Sequence, residues 1–402
     1  MARGLLLVCV ATLVSFAIVP LVGSATHDAT PRLALGAHLQ DDVVLPAGTV
    51  SGGAEPIIHV TRDGTTLLVG DSSGVYRSVN GGATWTRLSH PFLQGAFTDG
   101  RAIAEDDVGR IYVAHTQGQI VGVARSSDNG ASWDLISRVV AVGAIADRPW
   151  LAARGDGEVT LIVYNAGHGE ECFRSTDGGA TFLDRTLITP GVANTGGMAY
   201  DPQGRLWYSN GASWYRWTTC LQPPLPVDHP NGGAQILTQT AVDAQGRPYS
   251  ALPSGNNAQM LVHARQTTGG VKTLAVSPAE LKSNTFGAIA VNNATGEVAV
   301  GWYGSTTAGN PSASTFGGSW HVYVARITGF WSASPSVTVT QVTTTPNHVG
   351  GFCMTGVTCG SGADRDLLDY FGLTFAPDGS VHVAYGHDGA TSNSEVRYAK
   401  LA

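Results

Sequence analysis

The sequence SVNGGATW at residues 78–85 returns as SSDNGASW at residues 126–133 and as STDGGATF at residues 175–182. Each copy contains an Asp or Asn whose side chain can accept hydrogen bonds from backbone N–H groups further along, which closes a tight turn. The glycines can take the conformations with positive φ, and the final aromatic residue can pack into an apolar layer. A repeat whose copies start 48 and then 49 residues apart predicts a propeller or a solenoid.

A second repeat covers more of the chain and predicts the number of units. A strand, a glycine-containing turn and another strand recur seven times, with alternating apolar positions on both sides of each turn. A third strand follows most copies. The motif at residues 78–85 and its two repeats would form the turn between this third strand and a fourth. Seven such units predict an all-β fold, a seven-bladed β-propeller. The units span residues 57–70, 102–115, 150–164, 198–210, 240–253, 288–303 and 373–386.

The last unit contains only three predicted strands, so a fourth strand from elsewhere in the chain is needed to close the ring. Residues 32–45 precede the first unit and can supply the fourth strand, which would remove an exposed sheet edge. A six-bladed propeller is the alternative, if the fourth unit is an insertion. Residues 304–320 and 330–368 are expected to form long irregular loops, which often carry function on a rigid scaffold.

Residues 1–25 have the pattern of a secretory signal peptide, with one basic residue, an apolar stretch and small residues at the end. A membrane anchor is the alternative, because the 18 residues from 5 to 22 are just long enough to span a bilayer. Pro20 and the small residues at 23–25 favour cleavage. We therefore expect residues 26–402 to form a single secreted propeller domain, monomeric and without a membrane span.

The composition is typical of such a fold and argues against some partners. Only 13% of the residues are charged and 52 of 402 are glycine, which favours short strands and tight turns over helices. The formal net charge is −7 and becomes −8 once Arg3 is cleaved off. This mild acidity argues against nucleic acid as a partner, since nucleic acid needs a basic surface. We expect neither a cofactor nor a metal site.

Four cysteines lie within residues 26–402, and an even number predicts two disulfides in an exported protein. Of the three possible pairings, Cys353–Cys359 with Cys172–Cys220 is favoured, because the first pair closes a short local loop. A zinc site is the alternative, but these spacings are not those of structural zinc sites.

The propeller topology predicts which loops carry the variable chemistry. The short hairpin turns and the repeated motifs share one side, so a site is expected on the opposite side, around the central channel. Arg148 and Arg365 precede the first strands of units three and seven, so they should face each other across the channel with carboxylates between them. The alternative interpretation is a ring of salt bridges that ties the blades together. The charged residues predicted near this mouth are Arg101, Asp147, Arg148, Glu170, Glu171, Asp364, Arg365, Asp366 and Asp369.

The motif S-x-D-x-G-x-T-W resembles the Asp-box or BNR repeat of the sialidase superfamily. The stretches 147–152 and 364–385 resemble secreted bacterial sialidase-like proteins that carry it. The resemblance implies three arginines that hold a substrate carboxylate through bidentate hydrogen bonds, a Tyr nucleophile activated by a Glu, and an Asp as acid/base. Carried over, it implies a clamp of Arg148, Arg365 and Arg101, Asp147 as acid/base, and Tyr370 or Tyr303 as nucleophile beside Glu170 or Glu171.

Two functions are compatible with these residues. The resemblance implies an exported exo-glycosidase that acts on sialylated or other acidic glycans. The alternative is a non-catalytic propeller that binds a glycan or a protein at the cell surface. Three arginines directed into an open pocket would favour the enzyme, whereas arginines occupied by neighbouring Asp residues would favour the binding protein.

Overall fold

The computed structural model of this chain consists of β-strands, without helices, over the residues that it describes. Within those residues no helix is long and apolar enough to cross a membrane. The predicted signal peptide at residues 1–25 lies outside the described part of the chain. The described residues are 32–34, 43–46, 55–88, 101–140, 145–190, 195–210, 213–221, 224–227, 237–351, 353–354, 365–367, 369, 371–388 and 394–402.

The strands are short, and most run antiparallel to their neighbours. Those up to residue 227 are β1 (Arg32–Ala34), β2 (Val43–Val44), β3 (Ile57–Val60), β4 (Leu67–Asp71), β5 (Gly74–Ser78), β6 (Thr86–Arg87), β7 (Arg101–Glu105), β8 (Ile111–Gln117), β9 (Ile120–Ser126), β10 (Asp134–Val140), β11 (Ala146–Arg154), β12 (Glu158–Asn165), β13 (Gly169–Ser175), β14 (Asp184–Pro190), β15 (Thr195–Tyr200), β16 (Leu206–Asn210), β17 (Ser213–Trp217) and β18 (Leu225–Val227). Those after it are β19 (Thr240–Val242), β20 (Pro248–Pro253), β21 (Met260–Arg265), β22 (Val271–Ala275), β23 (Ser283–Asn292), β24 (Glu297–Ser305), β25 (Ser319–Thr328), β26 (Ser336–Gln341), β27 (His348–Val349), β28 (Gly372–Phe375), β29 (Val381–His387) and β30 (Glu395–Leu401).

Seven sheets form the blades of a propeller, which confirms the predicted fold. Blades 1 to 6 consist of β3–β6, β7–β10, β11–β14, β15–β18, β19–β22 and β23–β26, and blade 7 consists of β28–β30 together with β2. The first strands contact one another in order around the ring, and β28 of blade 7 contacts β3 of blade 1. The six-bladed alternative is wrong, because the fourth unit forms a complete four-stranded blade.

The ring closes through the predicted segment before the first blade. Strand β2 pairs antiparallel with β30, with Val43 opposite Tyr398, and so supplies the fourth strand of blade 7. Strand β1 instead runs parallel to β26 and covers the edge of blade 6. The prediction of an irregular loop over residues 330–368 is wrong in part, because β26 and β27 lie there. The alternating valines and threonines of Ser336–Gln341 fit an edge strand of blade 6.

The predicted hairpin turns are present, and their glycines have the conformation that such turns require. The glycine of each turn has a φ between 72° and 91°, the left-handed region that other L-residues rarely adopt. A side chain at these positions would strain the turn. The seven glycines are Gly64, Gly109, Gly157, Gly204, Gly246, Gly296 and Gly379.

The apolar core lies between the blades. Its buried side chains form seven clusters, each shared by two neighbouring blades. Among the described residues, the cluster between blades 4 and 5 has the fewest buried members, namely Trp207, Trp214 and Val242. Each blade is thus stabilised by contacts with both neighbours.

The repeated motif forms a turn held by its own side chains. In the second copy the Ser126 hydroxyl donates to Asp128 at 2.7 Å, and the backbone N–H groups of Gly130 and Ser132 donate to Ser126 Oγ and Asp128 Oδ1, each at 2.8 Å. The indole of Trp133 donates to the Gly130 carbonyl at 3.0 Å. The corresponding backbone bonds are present in the other two copies.

The motif also connects neighbouring blades. The carbonyl of its fourth residue accepts a hydrogen bond from the third strand of the preceding blade. The three copies therefore tie blades 7, 1, 2 and 3 together in sequence. The bonds run from Tyr398 Oη to Gly81 at 3.0 Å, from Arg77 Nε to Asn129 at 2.8 Å, and from Arg125 Nη1 to Gly178 at 3.1 Å.

Replacing Asp128 with alanine is expected to lower the free energy of unfolding by about 1–3 kcal/mol, because turn amides lose their acceptor. Partial burial by itself raises the pKa of Asp128, but the hydrogen bonds from Ser132 outweigh it and lower the pKa to about 2. A carboxyl with a depressed folded pKa stabilises the fold above its unfolded pKa of 3.8 and loses that effect as pH falls towards 2. Urea unfolding of both proteins at pH 7 and pH 3 would measure the difference.

Asp128→Asn is the matched control for this prediction. The first copy has Asn80 at the same position, and its Oδ1 accepts from the Thr84 backbone N–H at 2.9 Å. The asparagine variant should therefore retain most of the stability at pH 7. An alanine variant as stable as wild type would show that the side-chain bonds of the turn are dispensable.

Candidate functional site

A bulge in β11 shapes the mouth of the channel on the side opposite the motifs. The pairing of β11 with β12 shifts between Asp147 and Trp150, so Arg148 and Pro149 have no partner in the ladder. Arg148 has a φ of 50°, which is unusual for a residue other than glycine. Such bulges redirect side chains and are frequent beside functional sites.

Two other axial strands have a bulge at the equivalent place. In β15 the shift falls at Gly196 and Gly197, and in β23 it falls at Phe286 and Gly287. Phe286 has a φ of 52°, close to that of Arg148. The same bulge thus recurs in the first strands of three blades. Of these three bulges, only that of blade 3 contains a charged residue.

Arg148 reaches across the channel to Asp369, which precedes β28 of blade 7. Its Nη2 donates to Asp369 Oδ2 at 2.6 Å, and its Nε lies 3.7 Å from Asp147. Arg365 Nη1 and Nη2 approach the two oxygens of Asp369 at 3.3 and 3.2 Å, a fork-to-fork arrangement. One carboxylate therefore lies between the two guanidinium groups.

The described members of this cluster are buried to different depths and are balanced in charge. The side chain of Asp369 is fully buried, whereas those of Arg148 and Arg365 are 13% and 28% exposed. With Asp147, two carboxylates accompany two guanidinium groups. Burial strengthens the attraction between the partners and makes separating them costly. A second polar contact crosses the same mouth, from Gln239 Nε2 to the carbonyl of Phe371 at 2.9 Å.

The two candidate glutamates are engaged by other partners. Glu170 is 2% exposed and accepts hydrogen bonds from the Thr195 backbone at 2.7 Å and from Asn210 at 2.9 Å, which ties blade 3 to blade 4. Glu171 is buried and accepts from Arg185 Nε at 2.9 Å. Because Glu170 lies two strands outward from Asp147 in the same blade, their backbones are separated by about 10 Å.

The candidate nucleophile Tyr303 is fully buried on β24 of blade 6. Its hydroxyl accepts a hydrogen bond from the backbone N–H of Gly386 at 3.2 Å, and burial raises its pKa. It packs against Phe371 with 4.9 Å between ring centres. Glu170 is instead held by Thr195 and Asn210 of blade 4, whereas the Tyr303 hydroxyl contacts Gly386 of blade 7.

The remaining predicted residues fall partly outside the described chain. Arg101 begins β7 opposite His115, but its side chain is not among those described. Asp364 and Tyr370 lie outside the described residues. Asp366 is partly exposed, and its carbonyl accepts a hydrogen bond from Ser394. The cluster at the mouth therefore contains Asp147, Arg148, Arg365 and Asp369 among the described residues.

The disulfide Cys172–Cys220 is formed as predicted and joins blade 3 to blade 4. Cys353 is also disulfide-bonded. Its predicted partner, Cys359, lies outside the described residues, so that pairing remains a prediction. A disulfide is typical of proteins in oxidising compartments.

Sequence reasoning missed a polar network in three hairpins on the opposite side of the ring. There an Asp accepts from two turn amides, from an Arg four residues on, and from an aromatic ring six residues on. The pattern D-x-x-G-R-x-aromatic could have revealed it. The three sets are Asp106, Arg110 and Tyr112; Asp201, Arg205 and Trp207; and Asp243, Arg247 and Tyr249.

The channel opens on this hairpin side into a cavity of about 530 Å³. Its charged walls include Glu105, Asp201 and Asp243, but each carboxylate is already engaged. Glu105 accepts from His59 at 2.8 Å, and the two aspartates hold the hairpin arginines. These carboxylates hold the hairpins within or between neighbouring blades, whereas Arg148 and Asp369 meet across the channel, and we keep the cluster at the opposite mouth as the candidate site.

No protein-family model matches this chain, and no curated protein sequence matches it either. Among solved structures it is similar to a streptogramin B lyase, with a TM-score of 0.52 and 12% identity over 90% of this chain and 97% of that one. It is also similar to YCF48 bound to D1 peptide, with a TM-score of 0.54 and 13% identity over 93% and 98% of the two chains.

Virginiamycin B lyase from Staphylococcus aureus is a further similar structure, with a TM-score of 0.52 and 11% identity over 90% of this chain and 99% of that one. These neighbours are β-propellers of closely similar extent. At such low identity they show the fold alone, and they leave the function to be argued from the site.

Proposed function

We propose that this protein is an exported β-propeller that binds a glycan or glycoconjugate without hydrolysing it. The observation that carries the proposal is the position of Asp369. A sialidase-type clamp directs its arginines at the carboxylate of the substrate, whereas here Asp369 takes that position between Arg148 and Arg365. An incoming carboxylate would have to compete with a buried partner that is already in hydrogen-bond contact.

The placement of Tyr303 and Glu170 supports the same proposal, whereas the other candidate nucleophile, Tyr370, lies outside the described residues. A nucleophilic Tyr must contact both the substrate and its activating base. Tyr303 is fully buried on blade 6, and Glu170 is buried against blade 4. The mouth retains polar groups suited to binding, because Arg365 is 28% exposed and a guanidinium has more donors than one carboxylate can occupy.

Export is part of the proposal. It is supported by the leader-like residues 1–25 and by a disulfide between two side chains that are 0% and 1% exposed, Cys172 and Cys220. The solved neighbours include lyases and a propeller bound to a peptide, so the fold itself is compatible with either catalysis or binding.

The test is to assay the purified protein for both turnover and binding. We expect no release of sialic acid from sialyllactose, and binding of sialyllactose or lactose measured by calorimetry. Arg365→Ala should weaken that binding about tenfold or more, since it removes a charge-assisted donor at the mouth. Arg138→Ala is the matched control, because Arg138 is exposed on the outer strand of blade 2.

Two results would contradict the proposal. Release of sialic acid that disappears in Asp147→Asn would restore the exo-glycosidase interpretation. If the protein binds no member of a broad glycan array, the cluster at the mouth only connects the blades.

A further inference from the structure

A second polar groove lies between the outer parts of blades 4 and 5, on the hairpin side of the ring. It has a volume of about 420 Å³, within the range of small-ligand pockets. One wall is formed by β17 and β18 with Arg216, and the other by the end of β21 with Arg265. Among the described residues, the apolar cluster between these two blades has the fewest buried members.

Three arginines line this groove. Arg205 is engaged by buried Asp201 at 2.6 Å and by Gln203 at 2.9 Å. Arg216 lies over the ring of Trp207, with 5.5 Å between the guanidinium carbon and the ring centre. Among the described residues, the guanidinium groups of Arg216 and Arg265 have neither a hydrogen-bond acceptor nor an ion-pair partner.

The pairing of the other arginines makes this arrangement unusual. Of the arginines whose side chains are described, only Arg138, Arg216 and Arg265 lack such a partner, and two of these three line the same groove. The chain has 30 acidic and 23 basic residues, so carboxylates are not scarce. Cations of like charge facing one groove repel each other, and a bound anion would remove that cost.

The edge of the groove indicates which kind of ligand fits. Strand β18 is only three residues long and contains Pro226, which lacks an N–H donor and resists pairing with an added peptide strand. The exposed side chains of Gln266 and Thr267 offer hydrogen bonds, and Leu225, 61% exposed, offers an apolar surface. Such a mixture suits the hydroxyl groups and the C–H faces of a sugar.

We infer that this groove binds the carboxylate or sulfate group of an acidic oligosaccharide, with Arg216 and Arg265 as the anion-binding residues. The oxyanion site is independent of the mouth of the channel, whereas the choice of a saccharide rests on the proposed function. Arg205 lines the groove but stays bound to Asp201. Because charged hydrogen bonds of this kind are exposed at the rim, binding should weaken as ionic strength rises.

The experiment is a calorimetric titration of the full chain with a heparin-derived tetrasaccharide, tetragalacturonate, neutral maltotetraose and inorganic sulfate. We expect the two acidic tetrasaccharides to bind and maltotetraose not to bind. Arg265→Gln and Arg216→Gln should each lower the association constant about tenfold or more. Arg138→Gln removes the same charge from blade 2 and should leave the constant unchanged.

Arg265→Gln is the decisive variant. Arg216 also stacks on Trp207, so its replacement can affect stability, and thermal unfolding of every variant would detect that effect. Arg205 is left unchanged, because its loss would leave buried Asp201 without its ion-pair partner.

Each outcome decides a separate point. Equal binding by Arg265→Gln and Arg138→Gln, or no binding of any anion by the wild type, would overturn the site. Sulfate that binds as tightly as the tetrasaccharides would support the oxyanion site and overturn the saccharide as its ligand. Loss of binding in Arg365→Ala but not in Arg265→Gln would place recognition at the mouth, which upholds the proposed function and overturns this groove.

Discussion

Removing the Cys172–Cys220 disulfide is expected to lower the free energy of unfolding by about 4 kcal/mol in the chain-entropy model. The two cysteines are 48 residues apart, so the bridge closes a long loop and restricts the unfolded chain strongly. It also joins β13 of blade 3 to the segment that follows β17 in blade 4. The motif turns connect blades 7, 1, 2 and 3, and the disulfide continues this series of ties to blade 4.

The measurement is guanidinium unfolding of the double variant Cys172→Ala and Cys220→Ala against the wild type. Alanine is preferred to serine because both positions are buried and a hydroxyl there would add an unsatisfied polar group. The double variant Cys353→Ala and Cys359→Ala is the comparison, since its predicted short loop should contribute less, about 2–3 kcal/mol. A Cys172/Cys220 variant within about 1 kcal/mol of wild type would contradict the chain-entropy argument.

The blade pattern could be predicted because it depends on residues that are close together in the sequence. Each hairpin needs a turn residue with positive φ and alternating apolar positions, and both are visible within about a dozen residues. Gly64 and Gly379, in the first and last blades, have φ values of 72° and 83° as such turns require. The closing strand could be predicted for a related reason, because blade 7 lacked one strand and residues 43–44 preceded blade 1.

The candidate site could be predicted only in part, because its contacts are distant in sequence. Arg148 and Asp369 are 221 residues apart and meet only once the ring has closed. Blade order indicated that Arg148 and Arg365 would face each other, but not that a single carboxylate would hold both. The burial of Glu170 depends on its contact with Thr195 of the next blade, which no local pattern reports.

The groove between blades 4 and 5 was beyond sequence reasoning for the same physical reason. Arg216 and Arg265 belong to different blades and alternate with apolar residues, as exposed strand residues commonly do. Their lack of acceptors is a property of the folded surface. Only the packing of two outer blade regions brings them to one groove.

Replacing Asp369 with alanine is expected to lower the free energy of unfolding by about 3–5 kcal/mol, the usual cost of removing one partner from a buried ion pair. Asp369 is fully buried, and its loss leaves Arg148 and Arg365 close together without the carboxylate that separates them. Asp156→Ala is the matched control. Its carboxylate pairs with Arg110 but is 80% exposed, so we expect a loss below about 1 kcal/mol.

A double-mutant cycle would show whether repulsion between the arginines contributes to that loss. Arg148→Ala should cost less in the Asp369→Ala background than in the wild type, because it then removes one of two like charges. Any folded Asp369→Ala protein should also bind sialyllactose more tightly than wild type, since a ligand carboxylate can take the position of Asp369. If Asp369→Ala is as stable as Asp156→Ala and binds no more sialyllactose, the two arginines do not depend on Asp369. The competition argument for a non-catalytic site then fails.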